Sequence, residues 1–114
     1  MKTIRGAITV ENNDEREIET AVKELLTEIL SKNKIKIAQI QFAVFTCTAD
    51  ITAAYPAKYA REMGFSAVPM MCAQEMRVIG SLPMCIRVLI TVDADFTPKH
   101  IYLKDAINLR KDLI

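Results

Sequence analysis

The spacing of apolar residues changes several times along the chain, and each change marks an element. From Ile4 to Val10 apolar and polar positions alternate weakly among β-branched residues, which predicts a strand. From Ile18 onward the spacing becomes three and four. Ile18, Ala21, Val22, Leu25, Leu26, Ile29 and Leu30 fall on one face of a helix that runs to about Lys32. Asn12 or Asn13 is placed to cap it, and Asp14 and Glu15 suit its positive end. Glu19 with Lys23, and Glu24 with Glu28, share the solvated side. Lys32, Asn33 and Lys34 close it with cations and a residue that tolerates a left-handed backbone.

Gln41 to Thr48 is apolar on both faces in its centre and predicts an inner strand. Asp50 follows and suits a turn. Pro56 suits the first turn of a helix and Gly64 the position just past its end, giving a helix of about two turns. Val68 to Cys72 predicts a third strand, with Pro69 placing it at an edge or at a strand start. Gln74 to Ser81 fits no element, and Gly80, Ser81 and Pro83 mark a turn. Met84 to Val92 is the strongest strand. Met84, Ile86, Val88, Ile90 and Val92 point one way; Cys85, Arg87, Leu89 and Thr91 point the other. Only Arg87 breaks the apolar character, so a central position is expected. Beyond a turn-rich stretch from Asp93 to Pro98, His100 to Leu103 predicts a short strand centred on Tyr102, and Ala106 to Leu109 another. The order implies an α+β protein with a mixed sheet, one long and one short helix, and the long helix on one face.

At 114 residues, residues 1–114 are expected to form a single domain. A chain of this length hides roughly 65% of its unfolded surface, so it needs no disulfides. Apolar residues make up 51% and charged residues 25%, as in ordinary soluble proteins. A net charge of +1, no Trp and no basic cluster interleaved with aromatics argue against a nucleic-acid partner. Half of the 14 acidic residues lie between Glu11 and Glu28, leaving 7 acids against 11 Lys and Arg from Ile29 onward, a mild bias toward anions. Cys47, Cys72 and Cys85 are an odd number in apolar settings without paired spacing, which predicts buried, reduced thiols in a cytoplasmic protein. Met1, Lys2 and Thr3 lead straight into a strand, so no signal peptide is expected. No apolar run approaches the roughly 18 residues of a membrane span.

Much familiar chemistry is missing. His100 is the one histidine, and the cysteines are too scattered for zinc, so no metal site is expected. No Ser lies in a Gly-x-Ser-x-Gly elbow, and Gly6, Gly64 and Gly80 cannot build a phosphate loop. A pairing of Cys72 or Cys85 with His100 is the one conceivable nucleophile. Against this background Arg87 stands out. A guanidinium is always charged and rarely enters a core unpaired. Either Glu75 neutralises it internally or an anionic ligand does. Arg5 reads as a solvated strand-end residue, although Gly6 beside it permits close approach of a ligand or backbone. Lys58 and Arg61 share one helical face and read equally as a solvated basic surface. Arginines, a tyrosine and a glutamate among apolar strands suit a small polyanion bearing carboxylates, with catalysis limited to orientation and electrostatics.

Several short motifs carry a resemblance. They are Ile4-Arg5-Gly6-Ala7, Tyr55-Pro56-Ala57-Lys58 with Arg61-Glu62, Val68-Pro69, Cys72 with Gln74-Glu75-Met76, Cys85-Ile86-Arg87-Val88 and Tyr102-Leu103. In order and approximate spacing they are similar to the monofunctional chorismate mutases of the AroH type, from Ile4 to about Leu109. The resemblance implies a pericyclic rearrangement of chorismate to prephenate, toward phenylalanine and tyrosine, with no cofactor, metal or covalent intermediate. It implies a homotrimer, a pseudo-barrel assembly with a site at each interface between subunits. Arg87, Glu75 and Arg5 would be the catalytic residues. Arg87 would hold the ether oxygen of the breaking bond, Arg5 and Tyr102 a substrate carboxylate, and Glu75, with the backbone near Cys72, the ring hydroxyl. Arg61 would draw in carboxylates and close the site. Tyr55 and Ala57 would wall its apolar side, Lys58 would supply charge at its mouth, and Met71 and Leu109 would complete the binding surface.

The sequence departs from that pattern in places. Tyr55 replaces the more usual Phe, Met71 a smaller polar residue, and Phe65 the frequent Trp after Gly64. The loop from Asp93 to Pro98 is expected to be short, and the variable C-terminal tail, with Ile114 as its last residue, nearly absent. None of these changes removes a charged group. Two readings stand beside the enzyme: a non-catalytic sensor binding a small dicarboxylate in the same cationic pocket, and a plain structural domain with an internal Arg87–Glu75 pair.

Overall fold

A computed structural model describes residues 1–110; Ile114, where the short tail is expected to end, lies outside the described residues. The elements in chain order are β1 (Lys2–Thr9), α1 (Glu15–Asn33), β2 (Ile40–Cys47), α2 (Pro56–Glu62), β3 (Met70–Gln74), β4 (Cys85–Val92) and β5 (Ile101–Tyr102). Short 3-10 turns lie at Ile37–Gln39, Phe65–Ala67 and Lys104–Asn108. The strands form one sheet in the order β3-β2-β4-β1-β5. β4 runs antiparallel to both β1 and β2, while β2 with β3 and β1 with β5 are parallel. The α+β class, the mixed sheet and the inner positions of β2 and β4 agree with the sequence reading. Pro69 lies just ahead of the edge strand β3, where its missing N–H leaves no ladder bond unmade.

The core lies between one face of the sheet and α1. Ile18, Val22, Leu25, Leu26 and Ile29 are fully buried there against Ile4, Ile8, Ile86 and Ile90. Each such side chain contributes about 1.5–3 kcal/mol relative to exposure. Gly6 permits this packing: a Cβ at that position would sit 2.7 Å from Ile29 Cδ1. The close approach anticipated at Gly6 is therefore made by the helix. α2 packs beside α1 and against β3.

The helix ends differ from expectation. Asp14, not Asn12 or Asn13, is the N-cap residue, and it makes no side-chain cap bond. Asn13 is engaged elsewhere: its Oδ1 accepts the Thr52 and Ala53 N–H groups at 2.9 Å each, tying the start of α1 to the β2–α2 loop. At the other end Lys34, not Asn33, takes the left-handed conformation, with φ 53°. Asn33 is the last helical residue, and its carboxamide holds the Lys99 backbone through two bonds of 2.7 and 3.0 Å.

Ala106 to Leu109, expected as a strand, falls mainly in the Lys104–Asn108 turn. The Thr9 hydroxyl accepts the Asp105 N–H at 3.1 Å and curls the chain just past β5. Cys85 is buried, but Cys47 and Cys72 are only partly so; all three are free thiols. No described helix is long and apolar enough to cross a membrane.

Neither α1 nor α2 covers the second face of the sheet, where Ala106 of the Lys104–Asn108 turn packs with Ala7, Cys85 and Tyr102. Phe42 is 41% exposed, Leu89 40% and Met71 61%. Arg87 faces the same side. Leu89 beside it is thus exposed, whereas Cys85 and Thr91 on the same side of β4 are buried, so the burial on both sides that the apolar run suggests holds only in part.

Candidate active site

The register of the sheet brings charged residues together on this open face. β1 and β4 pair Arg5 with Leu89 and Ala7 with Arg87, so the two arginines are diagonal neighbours. β2 sets Thr46 opposite Arg87. Glu75 follows directly after β3, and its N–H donates to the Cys47 carbonyl at 2.8 Å, extending the β2–β3 ladder by one rung. That rung turns the carboxylate over the sheet. The Thr46 hydroxyl donates to Glu75 Oε2 at 2.6 Å, and Arg87 Nη2 lies 3.3 Å from Glu75 Oε1. From β5, Tyr102 reaches the same face. Arg5, Thr46, Glu75, Arg87, Leu89 and Tyr102 line a cavity of about 270 Å³.

The Arg87–Glu75 pair exists, but not in a core. The side chains are 45% and 25% exposed. Their separation exceeds the roughly 2.7–2.9 Å of a tight charge-assisted bond. Glu75 therefore does contact Arg87, through Nη2 alone, and both residues line the cavity.

The other expected site residues lie elsewhere. Tyr55 and Cys72 line a separate cavity of about 430 Å³ beside the β2–α2 loop. Ala57 is buried in the main core at the first turn of α2. Lys58 and Arg61 are exposed on α2, with Lys58 Nζ 5.4 Å from the Tyr59 ring centroid. Met71 is exposed on the open face. Leu109 packs beside Tyr102 in a small cluster with Ala7, Cys85 and Ala106. A single chain thus gathers Arg5, Glu75, Arg87 and Tyr102, with Leu109 packed beside Tyr102, and leaves the remainder outside that cavity.

Two contributors were missed in the sequence. Thr46 orients Glu75, and its signal is a hydroxyl in the otherwise apolar run from Phe42 to Cys47. His100 accepts the Arg5 N–H on Nδ1 at 2.9 Å, so that nitrogen is not directed to a cysteine. Burial pushes the Cys47 thiol up to about 12 and the Cys85 thiol up to about 11, holding both protonated and poorly nucleophilic at neutral pH. Among the described residues no three His, Cys, Asp or Glu side chains gather as a metal site would require.

The arrangement can grip carboxylates and hold a cation against developing negative charge. A model of the chorismate mutase type I family matches residues 1–113. The chain belongs to this family. Its relatives include the chorismate mutase AroH of Thermus thermophilus, 43% identical over 99% of this chain and 96% of that protein. The chorismate mutase AroH of Bacillus subtilis is 41% identical over 99% and 92%. Among solved structures, a chorismate mutase from Clostridium thermocellum superposes with a TM-score of 0.90 at 41% identity, covering 93% of this chain and 97% of that one. Membership spans the sheet, both helices and every residue of the cavity, so the chorismate mutase fold is present here as a whole.

Proposed function

We propose that the protein converts chorismate to prephenate by an intramolecular pericyclic rearrangement, as its family name implies. The observation that supports this best is the cavity holding Arg5, Glu75, Arg87 and Tyr102, in which the Arg87 fork is only partly occupied by Glu75. Arg87 meets the ether oxygen as the bond breaks. A cation fixed there strengthens its interaction as charge develops, and such a donor lowers the barrier by about 3 kcal/mol. Arg5 and Tyr102 bind a substrate carboxylate, and Glu75 binds the ring hydroxyl. No group of the protein bonds covalently to the substrate.

Three copies of the chain form the working enzyme. Support comes from the open sheet face, where Phe42, Met71 and Leu89 leave apolar surface that a neighbouring subunit would cover. The split of site residues supports it too. Tyr55, Lys58 and Arg61 lie outside the arginine cavity of their own subunit and complete the cavity of the next one. The chain acts as a single domain, since one sheet runs through it and the family match spans it. Three free thiols suit the cytoplasm.

Loss of chorismate absorbance on adding the purified protein tests the activity. Sedimentation equilibrium tests the assembly, with the mass of three chains expected. A folded protein inert toward chorismate would refute the first claim, and a stable monomer with full activity the second.

A further inference from the structure

β5 is only two residues long and pairs with β1 through Gly6 opposite Ile101 and Ala7 opposite Tyr102. On one side the ladder continues through the Leu103 N–H to the Ala7 carbonyl at 2.9 Å. On the other side a side chain supplies the next rung. The Arg5 N–H donates to His100 Nδ1 at 2.9 Å. The imidazole thus stands where a backbone carbonyl would serve in a longer strand. The residues it ties together flank the site: Arg5 lines the cavity from β1, and Tyr102, two residues past His100, lines it from β5.

We propose that His100 is a positioning residue for the carboxylate end of the site, its neutral ring fixing Arg5 and Tyr102 relative to one another and its protonation releasing them. The inference rests on the reading of Arg5 and Tyr102 as carboxylate-binding groups. A neutral imidazole has one acceptor nitrogen, whereas an imidazolium has none. With both ring nitrogens protonated, the Arg5 N–H faces another N–H and loses its partner. Among the described residues the charged groups acting on His100 are cations, Arg5 from β1 and Arg110 from beyond the Lys104–Asn108 turn. From α1 the neutral Asn33 carboxamide reaches this segment and holds the Lys99 backbone. Burial first, then Arg5 and Arg110, lower the His100 pKa from its ordinary 6.5. The neutral ring is therefore the resting form at pH 7. Its hold is complete above 6.5 and is lost as pH falls through the lower folded value.

Steady-state kinetics of the wild type, His100→Asn, His100→Leu and Arg5→Ala between mildly acidic and alkaline pH test this. Asn offers Oδ1 near the place of Nδ1 and does not titrate. At alkaline pH His100→Leu is expected to raise KM for chorismate on the order of tenfold with a much smaller change in kcat, since uniform substrate binding is weakened. His100→Asn recovers most of that loss. In acid the wild-type KM rises, and the KM of His100→Asn stays flatter. A His100→Asn KM that climbs in acid as steeply as the wild type overturns the inference. If His100→Leu fails to fold by circular dichroism, the His100→Asn pH profile still decides. An Arg5→Ala variant that binds poorly beside a His100→Leu variant that binds normally overturns this inference alone. An Arg5→Ala variant with wild-type KM overturns the reading of Arg5 and the inference with it.

Discussion

Replacing Thr46 with Val removes one hydroxyl and almost no volume, and its effect should fall on Arg87. Thr46 holds Glu75 Oε2 at 2.6 Å, so only Oε1 is presented to Arg87, at 3.3 Å. A hydrogen bond to a charged group contributes about 1.5–3 kcal/mol. Glu75 is 25% exposed, so water replaces part of that loss. About 1–1.5 kcal/mol remains as freedom for the carboxylate to turn and grip Arg87 with both oxygens. That grip competes with the substrate for the guanidinium. Thr46→Val should therefore lower kcat/KM about tenfold, since 1.36 kcal/mol corresponds to a factor of ten. Thr46→Ser keeps the hydroxyl and should stay within about threefold of the wild type. Chorismate consumption measures both, with melting temperatures to check the fold. A Thr46→Val enzyme with wild-type kcat/KM would refute the reasoning, as would a Thr46→Ser enzyme impaired to the same degree.

Other outcomes follow from the packing and the caps. Gly6→Ala places a Cβ 2.7 Å from Ile29 Cδ1 and 3.2 Å from both Leu25 Cδ1 and Val88 Cγ1. These neighbours are themselves buried, so a loss of about 1–3 kcal/mol is expected, read as a melting temperature several degrees lower. An unchanged melting temperature would show that α1 shifts freely. Lys34→Gly relieves a left-handed backbone of φ 53° at an exposed helix end and should raise stability by about 0.5–1 kcal/mol in chemical denaturation, with activity retained. A lower denaturation midpoint would contradict this. Burial raises the Cys47 and Cys85 thiols to about 12 and about 11, so both should react with a thiol-specific disulfide reagent at pH 8 far more slowly than free cysteine until the protein unfolds. Rapid labelling of both in the native protein would contradict it.

The long helix and the central strand are legible because each carries a plain apolar signal: seven apolar positions at three and four spacing define α1, and an apolar run broken only by Arg87 and Thr91 defines β4. The site was legible only in part. Arg87 was visible as a cation in an apolar run, but the run suggested a core. In the structure α1 covers only one face of the sheet, and on the other Leu89 and Arg87 stay exposed, so the apolar run reaches the surface there. Glu75 followed a stretch with no period, so its position depended on the rung to Cys47, a contact across 28 residues that local pattern does not encode. Ala106 to Leu109 misled for a similar reason. Four residues of mixed polarity carry little periodicity, and the Thr9 hydroxyl decided the backbone from the far end of the chain. His100 is the one histidine, and the sequence offers it a cysteine as partner. Its actual partner is a backbone N–H, which no side-chain pattern reveals.

Arg87 remains the centre of the account, and it offers the most direct measurement. Its side chain is 45% exposed, so Arg87→Ala leaves no buried charge orphaned, and Glu75 is free to take up water. Removing the cation proposed to meet the ether oxygen should lower kcat by about 100-fold or more, while circular dichroism and melting temperature stay near the wild type. Retention of turnover within a few-fold in the folded Arg87→Ala protein would contradict the claim that this guanidinium stabilises the transition state.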